Sequence, residues 1–158
     1  MDAPTLLFPL AALNSDYAAC IDADRLEDWP DFFLDDCLYK ITTADNHRRG
    51  YTAGVIYADS RAMLRDRVAA LREANIYERH AYRHIVGMPR LAAETAGAVS
   101  AETPFLVVRT MRDGRMDIFA TGCYLDRVAA PADGPLRFAE RIVVCDSSRF
   151  DTLLAIPL

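Results

Sequence analysis

TPFLVVRTMRDGRMDIFATGCYLDRVAAPADGPLRFAERIVVCDS, residues 103–147, decides the fold. Three strand-like runs, 103–112, 115–130 and 136–147, are separated by Arg112-Asp113-Gly114-Arg115 and Ala132-Asp133-Gly134-Pro135. Asp-Gly between such runs is the strongest short-range hairpin signal, so the stretch predicts an antiparallel meander. A fourth run, 80–93, precedes it. These runs exceed the usual strand length of about five or six residues. Strands that long curve or carry bulges, and Gly87, Pro89 and Gly122 are the expected places.

Upstream the periodicity changes. Leu10, Leu13, Tyr17 and Ile21 recur at three to four residues, which predicts a helix opened by Pro9 in its first turn. Asp24-Arg25-Leu26-Glu27 reads as a capping box, predicting a short second helix toward Phe33 that turns Leu26, Trp29, Phe32 and Phe33 to the core. Cys37–Thr42 predicts a strand, 45–50 a polar loop, and 51–57 a second extended piece. Asp59 or Ser60 caps the clearest helix, whose stripe is Leu64, Val68 and Leu71 with Met63 in support. Helices followed by a meander make an α+β chain, with N-terminal helices packed on a long, curved, mostly antiparallel sheet. By analogy this is the cystatin-like (NTF2-like) cone, as one domain over 1–158.

The chain is long enough to bury a core, being 158 residues of which 52% are hydrophobic. A net charge of −5, with charges of both signs interspersed, argues against nucleic-acid binding and against docking on anionic membranes. No apolar run approaches the ~18–20 residues that span a bilayer. Met1-Asp2-Ala3-Pro4 has no basic start of the secretory kind. Cys20, Cys37, Cys123 and Cys145 are far apart and read as reduced thiols, so the expected compartment is the cytoplasm.

The chemical census is negative. His80 and His84 share one strand face but sit ~13 Å apart at ~3.3 Å per residue, too far to share a metal. The cysteines form no ligand cluster, and none shows the base that a nucleophile needs. Asp22 and Asp24 read as helix-end residues rather than acid–base catalysts. The arginines of the 61–72 helix, interleaved with Asp66 and Glu73, read as a solvated face or, more sharply, a subunit contact. There is no phosphate loop, GxSxG elbow or HExxH. No catalytic, cofactor-binding or metal-ligating residue is assigned.

Three stretches in order resemble the small (β) subunit of Rieske-type aromatic-ring-hydroxylating dioxygenases. They are Tyr17-Ala-Ala-Cys-Ile-Asp22 with Trp29-Pro-Asp-Phe-Phe33 and Tyr39, then Met63-Leu-Arg-Asp-Arg67, then Tyr82-Arg-His-Ile-Val86. Glu140–Asp146 and Ile156-Pro157-Leu158 also fit. Leu71–Arg79, and Cys145–Ser147 with Asp151–Leu154, look most like the terephthalate dioxygenase small subunits within that family. The resemblance implies a large α subunit that carries a Rieske [2Fe–2S] cluster and a mononuclear iron, with no cofactor in this chain. It implies an assembly of three α and three β subunits (alpha3beta3), a trimer of small subunits, and a role in aromatic catabolism. Arg67, Arg83, His84 and Arg141 are the candidate interface residues in that reading.

Two other readings stay open. A stand-alone isomerase or dehydratase of the same cone would bring Tyr17, Asp35, His84 or Arg109 together in a deep apolar cavity. A ligand-binding module would keep the cavity open. A small subunit would instead fill the cone with Trp29, Phe32, Phe33, Leu64 and Val107.

Overall fold

The structure is a computed structural model, and it describes residues 3–74, 79–95, 97–150 and 154–158. Met1 and Asp2, residues 75–78 within Leu71–Arg79, and residues 151–153 within Asp151–Leu154 lie outside the described residues.

The first helix, α1, runs Ala3–Asp22 and so begins earlier than its proline suggested. Pro9 lies inside it on an exposed face, with Leu6 and Leu10 both buried. A mid-helix proline normally costs ~3 kcal/mol, and anchoring Leu6 in the core is what carries the helix past it. The capping-box helix does not form. Asp24 takes a left-handed conformation (φ 57°), and only a short 3-10 turn, Trp29–Phe32, follows. The Asp24 carboxylate faces Arg72 at 2.9 Å instead. That same arginine holds the Glu27 carboxyl down to about 2.

Strand β1, Phe33–Thr43, starts four residues before the sequence suggested. The polar loop contains a short helix, α2 (Ala44–Arg48), capped by the Thr43 hydroxyl accepting from the Asn46 N–H. Only Ile56–Ala58 (β2) of the second extended piece is a strand. Helix α3, Arg61–Ala74, is where the pattern placed it, and Ser60 is its cap, its hydroxyl accepting from the Met63 N–H at 3.3 Å. Leu64 and Val68 face the core, whereas Met63 is exposed.

The run 80–93 is two strands, β3 (His80–Val86) and β4 (Arg90–Thr95), broken at Gly87–Pro89. Both pair with the long β5, Ala98–Met111. The Gly87 N–H donates to the Pro104 carbonyl at the break. The meander continues through β6 (Met116–Ala129) and β7 (Arg137–Cys145). Gly114 (φ 90°) closes the first Asp-Gly turn, where Met111 and Arg115 pair across a three-residue loop. Among the described residues the strand order is β2-β1-β7-β6-β5-β3, with β4 also on β5. All pairs are antiparallel except β1 with β7.

Curvature comes from register slips. Val107 faces Ala120 but Val108 faces Ile118, so Phe119 is an extra residue in β6. Arg127 faces Glu140 but Val128 faces Phe138, so Ala139 is an extra residue in β7. Such bulges bend the strand and increase its twist. Gly122 hosts no slip; it marks a close approach of the β6 and β7 backbones. The result is the cystatin-like (NTF2-like) α+β cone, with the helices against the concave face of the sheet.

Candidate functional site

Two places in the fold concentrate chemistry: the interior of the cone, and the junction between the end of α1 and the edge strand β3. In the interior, Trp29, Phe33, Leu64 and Val107 are fully buried, as a packed cone requires, while Phe32 is half-buried. Tyr17 is the hub of the packing. Its ring meets Phe32, Phe33, Tyr124 and Phe138 edge-on at 5.7–6.3 Å. Such pairs add ~0.5–1.5 kcal/mol each beyond area burial.

Arg141 lies in the middle of this aromatic packing, fully buried. Its guanidinium carbon is 3.8 Å from the Phe138 ring centroid, 4.0 Å from that of Tyr124 and 4.3 Å from that of Tyr17. Nε and Nη2 donate to the Asp126 carboxylate at 2.8 and 2.7 Å, and Nη2 also donates to Asn14 Oδ1. Burial pushes the guanidinium toward neutrality, but the Asp126 charge and hydrogen bonds outweigh it, and its pKa is raised. A bidentate, charge-assisted pair of this kind is what allows a buried arginine. The expectation that Arg141 faces a partner chain is therefore corrected, because it faces inward and closes the cone.

A stretch without helix or strand, Leu154–Leu158, completes the filling, and all of it is buried. Arg67 of α3, the second interface candidate, donates from Nη2 to the Leu154 carbonyl at 3.0 Å. The phenols of Tyr17 and Tyr39 both donate to the Leu158 carbonyl, at 2.7 and 3.0 Å. The residues of the isomerase reading do not converge. Tyr17 serves Leu158, Asp35 pairs with Arg61 at the surface, His84 binds Asp22, and Arg109 binds Asp117 at 2.6 Å.

At the α1–β3 junction, the Asp22 carboxylate takes two bonds from one residue. Oδ2 accepts the His84 backbone N–H at 2.9 Å, and Oδ1 lies 2.6 Å from His84 Nδ1. Asp22 thus satisfies an amide on β3, which among the described residues is an edge strand paired with β5 alone. Arg83, third of the candidates, is exposed and lies 3.9 Å from the same carboxylate. Asp22, Arg83 and His84 line a shallow groove with Ala18, Ala19 and Met88. Asp22→Asn removes the charge that holds both donors and offers a single accepting oxygen. The expected cost is about 1–3 kcal/mol of stability, with faster hydrogen exchange at the His84 amide; unchanged exchange there would remove Asp22 from this role.

Sequence reasoning missed Asp126, Asn14 and Asp22 as partners because each joins residues distant in sequence. It placed His80 and His84 correctly on one face, where the Tyr82 ring stands between them at 5.0 and 6.1 Å. Among the described residues no group of three His, Cys, Asp or Glu side chains is arranged to hold a metal ion. The four cysteines are free thiols. Burial pushes the Cys37 thiol up to about 11 and Cys145 up to about 12, far from nucleophilic thiolates. No described helix is long and apolar enough to cross a membrane.

Comparison with known proteins agrees with this arrangement. Residues 17–152 match the family model of the ring hydroxylating beta subunit. The chain is 53% identical to the beta 1 subunit of the terminal oxygenase component of terephthalate 1,2-dioxygenase from a Comamonas species, over 94% of this chain and 96% of that one. It is 39% identical to the small subunit of anthranilate 1,2-dioxygenase from Burkholderia cepacia, over 96% and 93% of the two chains. A crystal structure described as the beta subunit of an aromatic-ring-hydroxylating dioxygenase from Novosphingobium aromaticivorans superposes with a TM-score of 0.90, at 38% identity and 99% coverage of both chains. With its cone closed by its own side chains and most of its length matched, the chain belongs to the ring-hydroxylating dioxygenase beta-subunit family.

Proposed function

We propose that this chain is the non-catalytic small subunit of a terminal oxygenase that dihydroxylates the ring of an aromatic acid. The observation that carries this reading is the filled cone: the space an isomerase or binding module keeps for a ligand holds Arg141 and its aromatic cage. The proposed partner is a large α subunit holding the Rieske [2Fe–2S] cluster and the mononuclear iron, in an assembly of three α and three β chains. Rieske centres take two cysteines and two histidines, and mononuclear non-haem iron usually takes two histidines and a carboxylate. Neither grouping occurs among the described residues. The chain would work as one domain over 1–158, and free cysteines suit the reducing cytoplasm.

Support for self-association lies on the convex face of the sheet. Ile85 of β3 and Met116 and Ile118 of β6 are exposed there, and β5 lies between them with Val108 opposite Ile118. Apolar side chains grouped on one face are what a subunit contact covers. Arg83 remains the proposed polar contact of the four candidates, because His84 is bound to Asp22 and Arg67 to the Leu154 carbonyl within the chain. Purified alone, the chain is expected to run as a trimer in light scattering at micromolar concentration, to bind no stoichiometric iron, and to leave aromatic acids unoxidised. Co-expressed with its α subunit, it is expected to co-purify in equal numbers and support ring oxidation. Stoichiometric iron in the isolated chain, or a monomer that ignores the α subunit, would overturn the reading.

A further inference from the structure

Lys40 is the only lysine in a chain that otherwise uses arginine for its cationic side chains. It lies in β1 directly opposite Tyr57 of β2. Its sequence neighbours Tyr39 and Ile41 belong to the core, so by strand alternation Lys40 and Tyr57 share the other face of the sheet. The 51–55 loop folds back over the lysine. A carbon added at Gly54 would sit 2.8 Å from Lys40 Cγ, and Nζ donates to the Tyr51 carbonyl at 3.5 Å. That bond is at the outer limit of a hydrogen bond. Lys40 is only 9% exposed, and among the described residues it forms no ion pair. An ammonium offers several N–H donors, and a buried charge without a counter-charge is costly. Around it Tyr51, Val55 and Tyr57 are all exposed. Arg49, exposed at the start of the same loop, adds positive charge.

We propose that Lys40, ringed by Tyr51, Val55 and Tyr57, is the seat for a carboxylate side chain of the large α subunit. It rests on the small-subunit reading and gives the α subunit a place to dock. A carboxylate set on Lys40 supplies the missing counter-charge, and the ring of larger side chains keeps water from the pair, the arrangement found at the centre of binding hot spots. Contacts between copies of one chain are the more apolar kind, and Ile85, Met116 and Ile118 on β3 and β6 provide such a surface. The Lys40 patch lies at the β2 edge, the opposite end of the strand order from β3. Its tyrosines and unmatched charge suit a contact between unlike chains, where charge sets partner and register.

A single lysine makes the contact directly testable in the complex co-purified with the α subunit. A water-soluble carbodiimide should join Lys40 Nζ to an aspartate or glutamate of the α subunit. The amide forms with loss of one water, which converts the carbodiimide to its urea, and peptide mass spectrometry identifies both ends. Lys40→Met keeps the stem and removes the charge. The free variant is expected to melt no lower than the parent, since it loses a poorly matched charge. Its dissociation constant for the α subunit should rise at least about tenfold, with self-association unchanged. Tyr57→Ala, a change at an exposed side chain, should weaken the α subunit by about tenfold and decides the matter if Lys40→Met does not fold. A cross-link from Lys40 to a second small subunit overturns the proposal, as does unchanged α-subunit affinity in both variants. A parent chain that binds no α subunit at all is the distinct failure of the small-subunit reading, and takes the proposal with it.

Discussion

Replacing Arg141 with leucine is expected to lower the unfolding free energy by about 3–5 kcal/mol, because it leaves a buried carboxylate without its partner. The Asp126 side chain is only 2% exposed and is held by Arg141 through both Nε and Nη2. Leucine also empties the space between the Tyr17, Tyr124 and Phe138 rings, adding lost contact to lost charge. Domains of this kind have ~5–15 kcal/mol in all, so the variant should be partly unfolded in mild urea. Trp29, the chain's one tryptophan and fully buried, reports that transition by its fluorescence. Pairing the change with Asp126→Leu removes the stranded charge and should restore most of the loss, since a buried ion pair is worth little more than a well-packed apolar pair. Arg141→Lys should fall between, as an ammonium cannot copy the two-pronged contact. A loss below about 1 kcal/mol for Arg141→Leu would mean that Asp126 finds water or another donor, and that the cage is not what closes the cone.

The misplacement of Arg141 at the sequence level has a geometric cause. Along a strand, alternate residues share a face. Phe138 is plainly a core residue, and counting from it puts Glu140, Ile142 and Val144 inside and Arg141 outside. The extra residue at Ala139 inverts that count, so Arg141, Val143 and Cys145 point inward with Phe138. Both faces of the stretch are apolar enough that composition does not reveal the slip. The Phe119 bulge hides in the same way, yet it puts that ring over Tyr82 and beneath Arg109. What depended on local chemistry was legible: the Asp-Gly turns, the α3 stripe and the Cys37–Thr42 strand. What depended on distant partners was not. Asp24 was read as a helix cap because its role, binding Arg72 on α3, joins positions 48 residues apart. Pro9 was read as a helix start because the burial of Leu6 that extends the helix is a property of the packed core.

Gly122→Ala is expected to be the other severe change, at about 3 kcal/mol, the upper end for overpacking. Its added methyl carbon would sit 2.0 Å from the Val144 carbonyl oxygen, 3.0 Å from that carbonyl's carbon and 3.1 Å from the Cys145 Cα. All three are backbone atoms of β7, so no side chain can turn aside and β7 itself must move. Gly114→Ala is the control. Gly114 sits in the left-handed region at φ 90° with nothing within 4 Å, so alanine there meets only backbone strain, of order 1–3 kcal/mol, confined to the turn. The two variants should therefore differ in reach as well as size. Moving β7 at Val144 disturbs the strand that carries Arg141, whereas a change at the 112–114 turn does not. In a double-mutant cycle, Gly122→Ala and Arg141→Leu should depart from additivity by about 0.5–3 kcal/mol, the range for coupled sites. Gly114→Ala with Arg141→Leu should add within about 0.5 kcal/mol. Additivity in the first pair would show that β7 tolerates the shift without disturbing the Arg141–Asp126 contact, and the interior would then be a set of separate contacts rather than one unit carried by that strand.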